Sequence, residues 1–160
     1  MQADKFKDML MRIIENRDNL FHPFVFINGD PEIGKNVSIG FFSEVNAKHS
    51  KVVIGDDCDI ASFVAINVAD SHKRCIGLQE EIERKPIIIE HSVFVGSHSF
   101  VKGGAHIGHH TVVAAGTIVE GVGIPPYSLV IGNPMKVKEG YYRNQVENDS
   151  ESALLRRKLL

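Results

Sequence analysis

The sequence predicts an all-β solenoid of triangular coils, and three observations predict it. An aliphatic residue recurs every six positions: Ile27, Ile33, Ile39, Val45, then Ile54, Ile60, Ile66, then Ile89, Val95, Val101, Ile107, Val113, Val119. Ile and Val together make up 34 of the 160 residues, so chance would start about one frame in five this way; all thirteen do, which marks an internal repeat. The second position of the frame is Gly at 34, 40, 55, 96 and 108, and Asn at 28, 46 and 67, as expected if a tight corner there needs a left-handed backbone. The fifth is small or β-branched at Val37, Ser43, Cys58, Val64, Val93, Ser99, Ala105, Thr111 and Thr117. A short strand plus a corner uses six residues. Three such sides close a coil, and coils stack at the strand spacing of ~4.8 Å. One coil buries little, but several together build a core. A sandwich would instead alternate with period two and space its turns irregularly. Geometry leaves the handedness of the coil open.

The remaining elements follow in chain order. Phe6, Met9, Leu10, Ile13 and Ile14 form one apolar stripe, so residues 3–19 read as an amphipathic helix closed before Pro23. Residues 1–26 are thus a helical cap and 27–138 the repeat domain. Three residues are extra between Val45 and Ile54, and 17 are extra between Ile66 and Ile89. The second insertion, about 70–86, is too polar for a coil interior and must loop outward, where long loops carry function. Residues 139–160 form a tail whose stretch from Ser150 reads as a helix. Acids stand at its start and Arg156, Arg157 and Lys158 near its end, which suits the helix dipole.

Composition narrows the class. With 43% apolar and 24% charged residues the chain is globular rather than disordered. A net charge of −2 without a basic block argues against nucleic-acid binding. No apolar run approaches the ~20 residues that span a membrane, and the charged start lacks a secretory pattern. Two cysteines, Cys58 and Cys75, make neither a disulfide scaffold nor a cysteine metal cage, and a reducing cytoplasm fits them.

Several segments together resemble the left-handed parallel β-helix acyltransferases. They are the hexapeptide frames, the loop with Ser71-His72, the run Phe94-Val95-Gly96-Ser97-His98, the stretch Pro125-Pro126-Tyr127-Ser128, and Gly132-Asn133-Pro134-Met135-Lys136-Val137. The family includes galactoside, maltose and antibiotic acetyltransferases and N-acetyltransferases of nucleotide-linked amino sugars. The resemblance implies a left-handed coil, acetyl-CoA as acyl donor, no metal, and a homotrimer with its groove between subunits. It also implies that His72 is the general base, and a neutral imidazole suits that task. Asp70, two residues away, is placed to orient its ring. By the same resemblance Ser97 lies where a main-chain N–H meets the oxyanion, in a run where the family commonly has Trp in place of Phe94. Ala115, Gly116 and Thr117 match the small residues along the pantetheine arm. Asn133, Pro134, Lys136 and Lys138 match the end that meets adenine and phosphate. Glu44, Asn46 and Asn67, at coil edges near the loop, are candidates for gripping a sugar.

Histidines also stand at 22, 49, 91, 98, 106, 109 and 110. The γ-class carbonic anhydrases share this fold, and their zinc histidines resemble His-x4-His. No histidine pair here differs by five, and the spacing of His106 and His110 is helical. A non-catalytic scaffold would need neither the loop nor the Gly-Asn-Pro ending. The expected activity is acetylation of a sugar, with the amine of a nucleotide-linked amino sugar for surface glycan synthesis preferred over a sugar hydroxyl.

Overall fold

The computed structural model describes residues 5, 6, 8, 9 and 24–149. Residues 5, 6, 8 and 9 are helical; the rest of the expected N-terminal helix lies outside the described residues. The solenoid runs from Phe26 to Lys138. The chain visits three parallel sheets in rotation. Sheet A holds Phe26–Asn28, Glu44–Asn46, Ala65–Asn67, Phe100–Lys102 and Ile118–Val119. Sheet B holds Glu32–Ile33, Val52–Ile54, Ile87–Ile89, His106–Ile107 and Gly123–Ile124. Sheet C holds Ser38–Ile39, Asp59–Ile60, Phe94–Val95, Val112–Val113 and Leu129–Ile131, and a last strand, Lys136–Lys138, closes it antiparallel. That reversed strand covers the ladder edge that the final coil would otherwise leave open.

The frame reads out directly as burial. Eleven of the thirteen frame-opening residues, from Ile39 to Val119, are buried, while Ile27 and Ile33 on the first coil are half-buried. Register aligns them across coils: Val45 pairs with Ile66, and Ile66 with Val101. Each fully buried Ile or Val contributes about 1.5–3 kcal/mol relative to exposure, so the repeat itself is the core. The fifth position also points inward, and its hydroxyls join successive coils. Ser43 Oγ donates to the Ala61 carbonyl and accepts the Val64 N–H. Ser99 and Thr111 do the same with Ala114 and Thr117, and with Pro125 and Ser128. Each hydroxyl is thereby satisfied in a place that water does not reach.

The corners correct one expectation. The left-handed residue is the fourth of the frame, not the second: Asn36, Phe42, Asp57, Phe63, Ser92, His98 and His110 have φ between 53° and 62°. The second-position glycines have ordinary φ and are needed for closeness. A Cβ on Gly40 would stand 2.4 Å from the Ser62 nitrogen, and one on Gly108 2.6 Å from the Pro126 nitrogen, both main-chain atoms of the next coil. Side chains at the left-handed position therefore stack in columns along the prism edges. Phe42, Phe63 and His98 form one, which Phe24 extends, with successive ring centroids from Phe24 5.4, 5.3 and 4.8 Å apart.

Both insertions leave at the edge where the chain passes from sheet A to sheet B. The long one folds back as a small antiparallel pair, Ala69–Asp70 with Glu83–Arg84, enclosing the one-turn helix His72–Cys75. At the C-terminus, residues 143–149 are helical, so helix begins ahead of the expected Ser150; the tail from 150 onward lies outside the described residues.

Ile107→Asp should abolish cooperative folding, because an unpaired carboxylate in this interior has no partner. Gly40→Ala should lower the melting temperature more than Gly116→Ala. Gly116 has φ +71° but open space around it, so its cost is only the left-handed backbone, about 1–2 kcal/mol. Thermal melts by circular dichroism compare the three; equal shifts for the two glycine variants would contradict the close-approach account.

Candidate functional site

A cavity of about 260 Å³ opens where the long insertion meets the coils, lined by Val68, Asp70, His72, Lys73, Glu83, Lys85, Lys102 and Gly103. The polar sequence of the insertion keeps it off the core, while its two ends close together: the Lys85 N–H donates to the Val68 carbonyl over 3.0 Å. Asp70 ends one strand of the antiparallel pair and His72 opens the helical turn, so only Ser71 separates them. The His72 main-chain N–H donates to Asp70 Oδ1 over 3.2 Å, and the ring Nδ1 contacts the same oxygen. This tie leaves Nε2 of a largely exposed ring on the side away from the carboxylate.

Two groups of ion pairs flank the cavity. Lys102 Nζ lies 4.0 Å from Asp70 Oδ2 and 3.5 Å from Glu120 Oε2. Glu83 bridges Lys73 at 3.1 Å and Lys85 at 2.8 Å. The hydrogen bonds from the His72 ring and main chain, with the charges of His72 and Lys102, hold the Asp70 carboxyl below its ordinary value. The lysines, Lys85 first and then Lys73, do the same for Glu83.

The structure gathers some of the expected residues at this edge. Asn46 and Asn67 stand in register on adjacent strands, joined by an Asn46 Nδ2 to Asn67 Oδ1 bond of 3.2 Å. The next residue in that column is Lys102. Glu44 lies two residues earlier on the same outer face of sheet A, half-buried. Other expected residues belong to a different edge. Ser97, Ala115, Gly116 and Thr117 turn the chain from sheet C to sheet A, where the Gly116 N–H donates to the Ser97 carbonyl. Thr117 is buried, and its hydroxyl accepts the Gly132 N–H at 3.0 Å. Its side chain therefore does not line a surface groove; it anchors the turn that carries Asn133 and Pro134. Those two, with Lys136 and Lys138, are exposed beyond the last coil. Within one chain, then, the His72 edge and the Ser97 edge are separate.

Sequence reasoning missed Lys102, Lys73, Glu83 and Lys85. Lys102 carried a signal: it occupies a second position of the frame, where Gly or Asn is the rule.

Comparisons agree with this architecture. The family described as "Hexapeptide repeat of succinyl-transferase" matches residues 86–120. The galactoside O-acetyltransferase of Escherichia coli (strain K12) is 34% identical over 111 residues, which cover 65% of this chain and 54% of that enzyme. The crystal structure of NeuO, a polySia-specific acetyltransferase, superposes with a TM-score of 0.60 at 28% identity, covering 72% of this chain and 61% of that one. AntD, an N-acyltransferase from Bacillus cereus, shares the fold, with a TM-score of 0.68 at 18% identity over 86% of this chain and 77% of that one. Curated relatives are longer: the chain spans 40% to 42% of two others it matches.

The Asp70 shift sets a pH dependence. A carboxyl depressed in the folded state stabilises it fully above the unfolded value, near 3.8, and the contribution is lost as pH falls through the lower folded value. Asp70→Asn, which keeps an acceptor but not the charge, should therefore be less stable than the wild type above pH 3.8, with the gap closing in stronger acid. Urea unfolding across that range measures it, and a gap that does not change with pH would remove the ionic contribution.

Proposed function

We propose that this hexapeptide-repeat protein is an acyltransferase that moves an acetyl group from acetyl-CoA to a sugar, acting as a homotrimer with His72 as general base. The observation that carries the proposal is the His72 ring, tied at Nδ1 to the ionised Asp70 at the mouth of a polar cavity. A carboxylate on Nδ1 selects the tautomer in which Nε2 is the free acceptor, and it stabilises the imidazolium once a proton arrives. Relatives of the same repeat support the acyl chemistry and the sugar class, since one acts on a galactoside and another on polySia.

The steps balance. A neutral nucleophile of the acceptor attacks the thioester carbonyl while Nε2 of His72 takes its proton. The tetrahedral oxyanion is held by an N–H donor at the Gly96–Ser97 corner. The intermediate collapses, the C–S bond breaks, and the imidazolium returns the proton to the CoA sulfur. Asn133, Pro134, Lys136 and Lys138 hold the adenine and phosphate end of the donor, and Ala115 and Gly116 leave room for the pantetheine arm. Glu44, Asn46 and Asn67 grip the sugar.

The two edges, separate within one chain, require a second subunit to complete the groove. Exposed Phe26, Phe42 and Phe63 supply an apolar surface that a trimer contact would cover. The nucleophile is the amine of a nucleotide-linked amino sugar by the sequence resemblance. A second reading, a sugar hydroxyl, is favoured by the galactoside O-acetyltransferase relative and by the need of a weakly acidic hydroxyl for a paired base.

His72→Ala and His72→Asn should lower kcat by about 10²–10⁴-fold with acetyl-CoA binding nearly unchanged, and the acidic limb of the pH–rate profile should vanish. Thiol release from acetyl-CoA, run against a panel of sugars and nucleotide-linked amino sugars, gives the rates. A kcat within about threefold of wild type for both variants would exclude His72 as base. Light scattering should show a trimer; a monomer that keeps its activity would exclude the shared groove.

A further inference from the structure

The edge between sheets B and C carries three imidazoles that the acyl-transfer reading leaves unused. His91 and His109 lie 18 residues apart, one full coil, and stack face to face with centroids 4.9 Å apart and planes 7° from parallel. His110 occupies the left-handed fourth position with φ 55°, which turns its ring edge-on to both, at 89° and 87°. Its Nδ1 thereby comes 3.0 Å from Nδ1 of His109. One ligand nitrogen from each of the three rings lies within 4.8 Å of the others.

The main chain holds this arrangement. The His110 N–H donates to the His91 carbonyl, and the Tyr127 N–H to the His109 carbonyl. Glu90 Oε2 accepts the His109 N–H at 2.9 Å while its other oxygen meets His106. Tyr127 backs the group, stacked on His110 and edge-on to His109, and the Arg143 guanidinium lies over the Tyr127 ring, 5.0 Å from its centroid. One side remains open, because His91 is exposed and His109 and His110 are half-buried.

We propose that His91, His109 and His110 form a binding site for a divalent transition-metal ion of borderline softness, with Zn²⁺ as its occupant and one coordination position left to water. Ligand nitrogens of a tetrahedral zinc with bonds of about 2.0–2.1 Å stand about 3.3 Å apart, close to the His109–His110 separation. Rotation of the exposed His91 side chain closes the third bond. Imidazole sets favour zinc, copper and nickel over magnesium or calcium. The ion would link one coil to the next, His91 below and the other two above, and so acts as a staple across the stack. It has no part in the acyl transfer proposed for the His72 edge.

Isothermal titration of Zn²⁺ into the tag-free, chelator-treated chain tests the site, with the melting temperature and the visible spectrum of the Co²⁺ form as further readouts. The expected result is one ion per chain, a raised melting temperature, and Co²⁺ bands of four-coordinate intensity. His91→Gln and His109→Ala should each weaken binding by about tenfold or more, while His72→Ala and His98→Ala leave it unchanged. His91 is exposed, so His91→Gln should keep the metal-free melting temperature of the wild type. Absence of saturable binding, or binding that survives in both His91→Gln and His109→Ala, would overturn the proposal. So would binding lost on His72→Ala.

Discussion

The molecule depends on one repeat distance, the spacing of a parallel hydrogen-bond ladder. Each coil sits one strand spacing above the last, so each residue lies over its counterpart in the coil below. That constraint decides which residue types are tolerated. The second position is glycine where the next coil's main chain presses against it, as at Gly40 and Gly108. The fifth is a hydroxyl where coils need a polar joint, as at Ser43, Ser99 and Thr111. The fourth takes the strained turn and holds its side chain outside. Because the coils repeat, those outer side chains meet as columns: phenylalanines along one edge, histidines and Tyr127 along another.

Chemistry gathers at the edges for the same reason. The faces are occupied by paired strands held in register, while each corner releases the chain for a few residues. An insertion at a corner costs the ladder nothing, since the strands on either side keep their register. Ala65–Asn67 still pairs with Phe100–Lys102 although the long loop intervenes between them in sequence. The ion pairs around Asp70 and Glu83 then give that excursion a fixed form without a core of its own.

The solenoid was legible because its signal is one-dimensional: period, burial and insertions all lie along the chain, and Ile60, Ile107 and Val113 are buried as their frame requires. The proximity of Asp70 and His72 was legible for the same reason, being a local spacing. What sequence left hidden involves the neighbouring coil. The second-position glycines looked like turn residues because the main chain that crowds them is a full coil away. The alignment of Asn67 with Lys102 was masked by the 17 residues inserted between them. The gathering of His91, His109 and His110 is hidden because a coil brings together residues 18 apart, an interval far longer than a helical or short-loop spacing.

The long excursion enters and leaves at one point, with Val68 and Lys85 bonded across its base and the neighbouring coils in place on both sides. Such a segment is a detachable module. Its length and chemistry can change through exchange, deletion or grafting while the stack beneath it stays intact, so the surroundings of His72 and the stability of the scaffold are inherited on separate stretches of the chain.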